Sequence, residues 1–127
     1  TATVGDLCSI KNTATLSLND TIAWGIRQAG ERQVRPLPVI DNDNLLGIFD
    51  EDKAIELLSN GSDTSAMLVS DCLDDSSILV LDVSQPWQDA TAALAHHDSV
   101  LVKDADGYSS LSRNDLLRSL KRLNHTH

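Results

Sequence analysis

Apolar residues come in short segments whose spacing switches between the strand period of two and the helical period near 3.6. Residues 14–18 predict a short strand that stops at Asn19-Asp20-Thr21, where Asp20 is a good helix N-cap. Ile22, Ile26 and Ala29 then keep helical spacing as far as Gly30. Residues 36–40 read as a buried strand entered through prolines, which suit its first positions. Asp41-Asn42-Asp43-Asn44 is a turn of residues that tolerate left-handed backbone, and residues 45–49 are the return strand of a hairpin. Ala54, Ile55, Leu57 and Leu58 form the apolar face of a second helix, stopped at Asn60-Gly61.

The same order then follows again. Residues 78–83 predict a strand, Pro86 opens a helix reaching about His97, and residues 100–103 predict a strand. Residues 104–107 are a turn, 108–112 a strand, and 114–123 the closing helix. The repeat is visible in residues as well as in pattern. Val4-Gly5-Asp6-Leu7-Cys8 returns from Val69 as Val-Ser-Asp-Cys-Leu, and the run from Leu45 to Lys53 returns from Gly107 to Asp115. One repeat is one supersecondary unit, and two copies are too few for a solenoid. The expected architecture is α+β: two β-α-β-β-α motifs related by a pseudo-twofold axis and packed as one compact module. Motif 1 spans residues 1–61 and motif 2 residues 66–123, with a linker at 62–65 and a tail at 124–127. A site is expected in the crevice between the motifs, which favours binding over catalysis.

Composition narrows the partners. The chain has 127 residues, a formal charge of −9 and a pI near 4.6, which argues against nucleic acid, since phosphate binding needs clustered Lys and Arg. Arg113, Arg118, Lys121 and Arg122 form the one basic cluster, expected at a helix end where it complements the macrodipole. No apolar run reaches membrane-spanning length, so no membrane insertion is expected. Cys8 and Cys72 lie at nearly equivalent places without a cysteine framework or a secretory signal, which favours reduced, half-buried thiols in the cytoplasm. The chain opens on Thr1, which fits a piece excised from something longer. His96-His97 matches no zinc spacing, the turn at residues 41–44 lacks a calcium loop, and no nucleophile sits in a catalytic motif. Neither a metal nor an enzyme activity is expected.

The order β-α-β-β-α, the opening Val-x-Asp, the Leu37-Pro38-Val39-Ile40-Asp41 strand and the Leu45-Leu46-Gly47-Ile48-Phe49 strand resemble a CBS motif. Arg113-Asn114-Asp115-Leu116-Leu117 resembles the closing helix of that family, so the whole chain resembles a tandem CBS pair, the Bateman module. The resemblance implies a regulatory module. Such pairs often bind adenosine-containing ligands (AMP, ADP, ATP or S-adenosylmethionine) between their halves and commonly dimerise into a flat disc. The family pattern at the ligand is a small residue, two apolar residues, Ser or Thr, two variable residues, then Asp.

In motif 2, Ser112 and Asp115 fill the hydroxyl and carboxylate positions of that pattern, with Arg113 between them. A hydroxyl at a helix start can meet a phosphate oxygen, Asp can accept both ribose hydroxyls, and Arg113 can neutralise a phosphate. Ser112 as an N-cap and Asp115 in a first helical turn also suit any helix start. Ser109 replaces the usual glycine, and Ser110 marks an expected exposed position. Motif 1 has Asp50 and Lys53 at the matching places, a carboxylate where phosphate would lie and a cation where an acceptor is wanted, so its site reads as degenerate. Trp24 and Trp87, 63 positions apart on the two first helices, read either as core or as anchors of a homodimer interface. The expected function is sensing of an adenine nucleotide or S-adenosylmethionine, acting through dimerisation or an attached effector domain. The alternative is a ligand-free interaction module with degenerate nucleotide sites.

Overall fold

The computed structural model describes residues 2–7, 14–31, 36–76 and 78–125, with side chains described as far as Lys121. The chain divides into two compact units. A continuous unit runs from Thr13 to Ile78, and a discontinuous unit joins Thr1–Asn12 to Leu79–His127.

The continuous unit contains helix α2 (Ile22–Glu31), strands β1 (Pro38–Asp41) and β2 (Asn44–Phe49), helix α3 (Glu51–Ser59), a 3₁₀ turn (Val69–Cys72) and the short strand β3 (Leu73–Asp74). Its sheet is antiparallel in the order β1-β2-β3. The hairpin closes through Asn42 and Asp43, whose φ values of 47° and 66° are left-handed, and Asp41 pairs Asn44. That geometry matches the right-handed twist of a two-residue hairpin, and Asn and Asp tolerate it well among non-glycine residues. The expected strand at residues 14–18 reduces to one bridging residue. Leu16 donates to Pro38 O and accepts from Ile40 N, both at 2.9 Å, before the chain turns back at Asp20. The helix cap is Thr21 instead of Asp20: Thr21 Oγ1 accepts from Trp24 N at 3.1 Å, while Asp20 accepts from Ser17 N.

The discontinuous unit contains helix α1 (Val4–Leu7), strand β4 (Val80–Asp82), helix α4 (Trp87–Leu94), strands β5 (Ser99–Asp104) and β6 (Gly107–Ser112), and helix α5 (Arg113–His125). β4 runs parallel to β5, and β5 and β6 form the hairpin. Helix α4 ends three residues short of the expected His97. Ala95 caps it and His96 N bonds back to Ala93 O, a tightened last turn that frees the chain for β5.

The opening repeat holds in hydrogen bonds at a constant offset of 65 residues. Val4 N donates to Gln85 O as Val69 N donates to Asp20 O, both at 2.8 Å. Gly5 N reaches Val83 O as Ser70 N reaches Leu18 O, and Trp87 N reaches Ala2 O as Ile22 N reaches Met67 O. The segment that opens each sequence copy therefore docks on the first helix of the other copy. This is why the compact units do not coincide with residues 1–61 and 66–123.

Each unit has its own apolar core. Val4, Leu7, Leu81, Val102 and Leu111 belong to the core of the discontinuous unit, and Leu16, Ile22, Leu37, Val39 and Phe49 to that of the continuous unit. Each such aliphatic or aromatic side chain contributes about 1.5–3 kcal/mol on burial. Gly47 and Ser109 occupy equivalent places in the return strands, opposite Val39 and Val102, which are themselves bridged by Leu16 and Leu81. They differ in surroundings. A Cβ at Gly47 would lie 2.6 Å from Asp74 O of β3, whereas Ser109 is buried with its side chain accommodated.

Candidate functional site

In both units a return strand passes directly into a helix, and the sequence-based candidate residues sit at that junction. Ser112 ends β6 and caps α5. Its Oγ accepts from Asp115 N, while Asp115 Oδ2 accepts from Ser112 N, each at 3.1 Å. This reciprocal pair satisfies two backbone donors at once, with Asp in the role usually taken by Glu or Gln. The second Asp115 oxygen accepts from Arg118. Burial pushes the Asp115 carboxyl upward, but the hydrogen bonds from Ser112 and the charge of Arg118 outweigh it and hold the group below the ordinary aspartate range.

Arg113 is held by groups at and just beyond the end of α4. Its Nε donates to Leu94 O at 2.8 Å, its NH1 lies 3.0 Å from Asp98 Oδ1, and its backbone N–H donates to Asp98 O. A guanidinium on the last carbonyl of α4 complements that helix's C-terminus. The basic cluster is thus not gathered at one helix end: Arg113 opens α5, Arg118 lies along it on Asp115, and the Arg122 side chain lies outside those described. Ser110, expected exposed, is half-buried on β6.

The matching junction of the continuous unit is built alike and charged differently. Asp50 caps α3, with Oδ1 accepting from Lys53 N at 3.0 Å, and Asp50 N donates to Cys72 O at 2.8 Å. An open hollow of about 440 Å³ beside it is lined by Asp50, Asp52, Lys53, Glu56, Leu57 and Asp74. Four carboxylates against one ammonium leave it strongly acidic, unfavourable to a phosphate at close range. Cys72 is free and fully buried, not half-buried, because its turn packs into the core; burial pushes its thiol up, and Lys53 draws it partly back. Cys8 lies outside the described residues.

The two tryptophans are not equivalent. By the 65-residue hydrogen-bond offset Trp87 matches Ile22, and Trp24 matches Asp89. Trp87 is half-buried against the core of its unit, whereas Trp24 is 44% exposed with Arg27 over its ring at 5.8 Å. The offset of the opening repeat, extended along the chain, would have revealed this. His96 and His97 are exposed, and among the described residues no group of three or more His, Cys, Asp or Glu could hold a metal ion. No helix among the described residues is long and apolar enough to cross a membrane.

No family model matches this chain, and no curated protein does. Solved structures do. CBSX2 in complex with AMP is 25% identical with a TM-score of 0.75, covering 98% of this chain and 99% of that one. CBSX2 from Arabidopsis thaliana, described as a CBS-pair protein, is 24% identical with a TM-score of 0.78, covering 98% and 97%. The CBS domain pair of protein MJ0100, in complex with 5′-methylthioadenosine and S-adenosyl-L-methionine, is 16% identical with a TM-score of 0.72, covering 94% and 96%. The chain has the fold of a tandem CBS-domain pair, mixed α+β with a three-stranded sheet in each unit.

Proposed function

We propose that this chain is a regulatory, non-catalytic module that binds an adenosine-containing ligand: AMP, ADP, ATP or S-adenosylmethionine. The observation that carries the reading is its likeness, over nearly the full length of both chains, to CBSX2 in complex with AMP. Ser112, Arg113 and Asp115 form the ligand-facing group. Asp115 offers an ionised acceptor to the ribose hydroxyls, the Ser112 hydroxyl keeps its own proton to donate, and Arg113 supplies positive charge near the phosphate. The bound state passes on through self-association, with Trp24 and Trp87 at the interface between copies, or through an attached effector domain.

A second reading is favoured by one specific observation. The polar groups of both junctions are already engaged by the fold: Ser112 with Asp115, Asp115 with Arg118, Arg113 with Leu94 O, and Asp50 with Lys53 N. A module whose junctions serve only as caps would act purely by protein contact. Thermal unfolding with AMP, ATP and S-adenosylmethionine separates the two. A ligand at 100 times its dissociation constant adds about 2.7 kcal/mol to native stability. A rise in melting temperature with any of the three supports the sensor, and none with all three supports the interaction module.

A further inference from the structure

The end of α3 holds a reactive pair of residues. Asn60-Gly61 is the one Asn-Gly step in the chain; the other asparagines precede Thr, Asp, Leu or His. Asn60 caps α3 at φ −84° and ψ 0°, and Gly61 follows at φ 78°, the left-handed value that favours glycine. Gly61 N donates to Leu58 O and Ser62 N to Leu57 O, each at 3.0 Å, the paired bonds of a glycine C-cap. Asn60 and Gly61 are both exposed, and a Cβ at Gly61 would meet nothing within 4 Å. The Gly61 nitrogen is thus uncrowded, and one backbone bond, at a helix end where turns fray, holds it away from the Asn60 side chain.

We infer that Asn60 is a site of spontaneous, one-way deamidation. As the last turn opens, the Gly61 nitrogen attacks Asn60 Cγ. An N–Cγ bond forms, the Cγ–Nδ2 bond breaks, and Nδ2 leaves as ammonia with the proton that Gly61 gives up. Water then opens the five-membered imide at either carbonyl. One product is aspartate; the other is isoaspartate, whose main chain runs through Cβ and gains one atom. Either product adds a carboxylate at the negative end of a helix that already carries Glu51, Asp52 and Glu56. Isoaspartate also shifts the N–H groups of Gly61 and Ser62 out of register with Leu58 O and Leu57 O, so the modification loosens the end of α3. Asn42 and Asn114 supply the contrast within the chain. Each precedes an aspartate, whose side chain crowds the attacking nitrogen and whose charge opposes loss of its proton.

Incubation of the folded full chain in mildly alkaline buffer, followed by peptide mass spectrometry, tests this. The amide-to-acid mass change should accumulate at Asn60 and not at Asn42 or Asn114. An isoaspartate methyltransferase with labelled S-adenosylmethionine should label the Asn60 peptide. Asn60→Gln, whose longer side chain needs a less favourable six-membered ring, should stay unmodified, and circular dichroism checks that it is folded. Aged wild type should melt about 2–5 °C below fresh protein, whereas aged Asn60→Gln should melt as when fresh. Asn60 left intact in the folded chain overturns the inference; deamidation there in urea alone would show that the cap protects it. Equal modification at Asn42 overturns it too, because the open glycine would then confer nothing. An unchanged melting temperature in fully modified protein overturns the loosening of α3.

Discussion

The junction of β6 with α5 and the junction of β2 with α3 use one backbone device and opposite chemistry. In each, the residue just before the helix caps it by accepting from the backbone N–H three residues on. In the discontinuous unit the cap is a hydroxyl and the third residue a carboxylate, so the pair bonds both ways. In the continuous unit the cap is a carboxylate and the third residue a lysine, so the bond runs one way only. The lesson is that a cap fixes backbone geometry and leaves side-chain charge free to vary. Two copies can therefore keep one fold while their junctions carry different charge.

The largest effect that bears on this comparison lies one turn of chain earlier. Gly47 and Ser109 are equivalent, but only Gly47 runs under a third antiparallel strand, where a Cβ would meet Asp74 O at 2.6 Å and Leu73 Cδ1 at the same distance. A backbone oxygen cannot swing aside as a side chain can. Gly47→Ala should cost about 3 kcal/mol, at the upper end of overpacking, seen as a clear drop in the urea midpoint. Ser109→Ala should change stability by less than 1.5 kcal/mol, since it keeps the Cβ in place. Equal losses at the two positions would mean that the return strands are not differently covered.

Next in size is the ligand test. With AMP as titrant in calorimetry, Asp115→Ala should lose about 1.5–3 kcal/mol, the value of hydrogen bonds to a charged group, or roughly 10- to 150-fold in affinity. Lys53→Ala, at the matching place, should bind AMP as wild type does. A loss confined to the Lys53 variant would put the site at the other junction.

Much of this was legible before any coordinates. The hairpin turns were readable because Asn42-Asp43 and Asp106-Gly107 carry their backbone preferences locally. The helix starts were readable because capping is local too, although Thr21 displaced Asp20 by one residue. What stayed hidden is non-local. Nothing near Val4 says that it will bond Gln85, so the reassignment of the opening segments to the opposite units was out of reach of segment-by-segment reading. Arg113 finds its acceptor 19 residues back, at Leu94 O, and no spacing rule anticipates that. The matching of Trp24 with Trp87 failed for another reason: loop lengths differ within the copies, so their 63-residue spacing falls short of the 65-residue offset that holds at the first helices.

Loss of either cap is the next smaller effect. Asp50→Ala and Ser112→Ala should each cost about 1 kcal/mol in chemical unfolding. The Ser112 variant should be somewhat the less damaged of the two. Its backbone N–H still bonds Asp115, so half of the reciprocal pair survives, whereas Asp50→Ala leaves no side-chain acceptor at all for Lys53 N. A much larger loss at Ser112 would show that its hydroxyl does more than cap.

The smallest effect is a pH dependence at the junction of β6 with α5. Burial alone would raise the Asp115 carboxyl, but Ser112 and Arg118 prevail and lower it in the folded state. A carboxylate held below its unfolded value, about 3.9, favours the native state fully above that value. The contribution is then lost as pH falls through the lowered folded value. Asp115→Asn should therefore be less stable than wild type at neutral pH, with the gap closing below about pH 4. The gap should be smaller than the loss of a cap, because Arg118 is mostly exposed and its charge is screened by water and salt. Urea unfolding of wild type and the Asp115→Asn variant between neutral pH and the acid limb reads this directly. A gap between wild type and Asp115→Asn that stays constant with pH would mean that the carboxylate's charge contributes nothing at this junction, and that Ser112 with Asp115 is held by hydrogen-bond geometry alone.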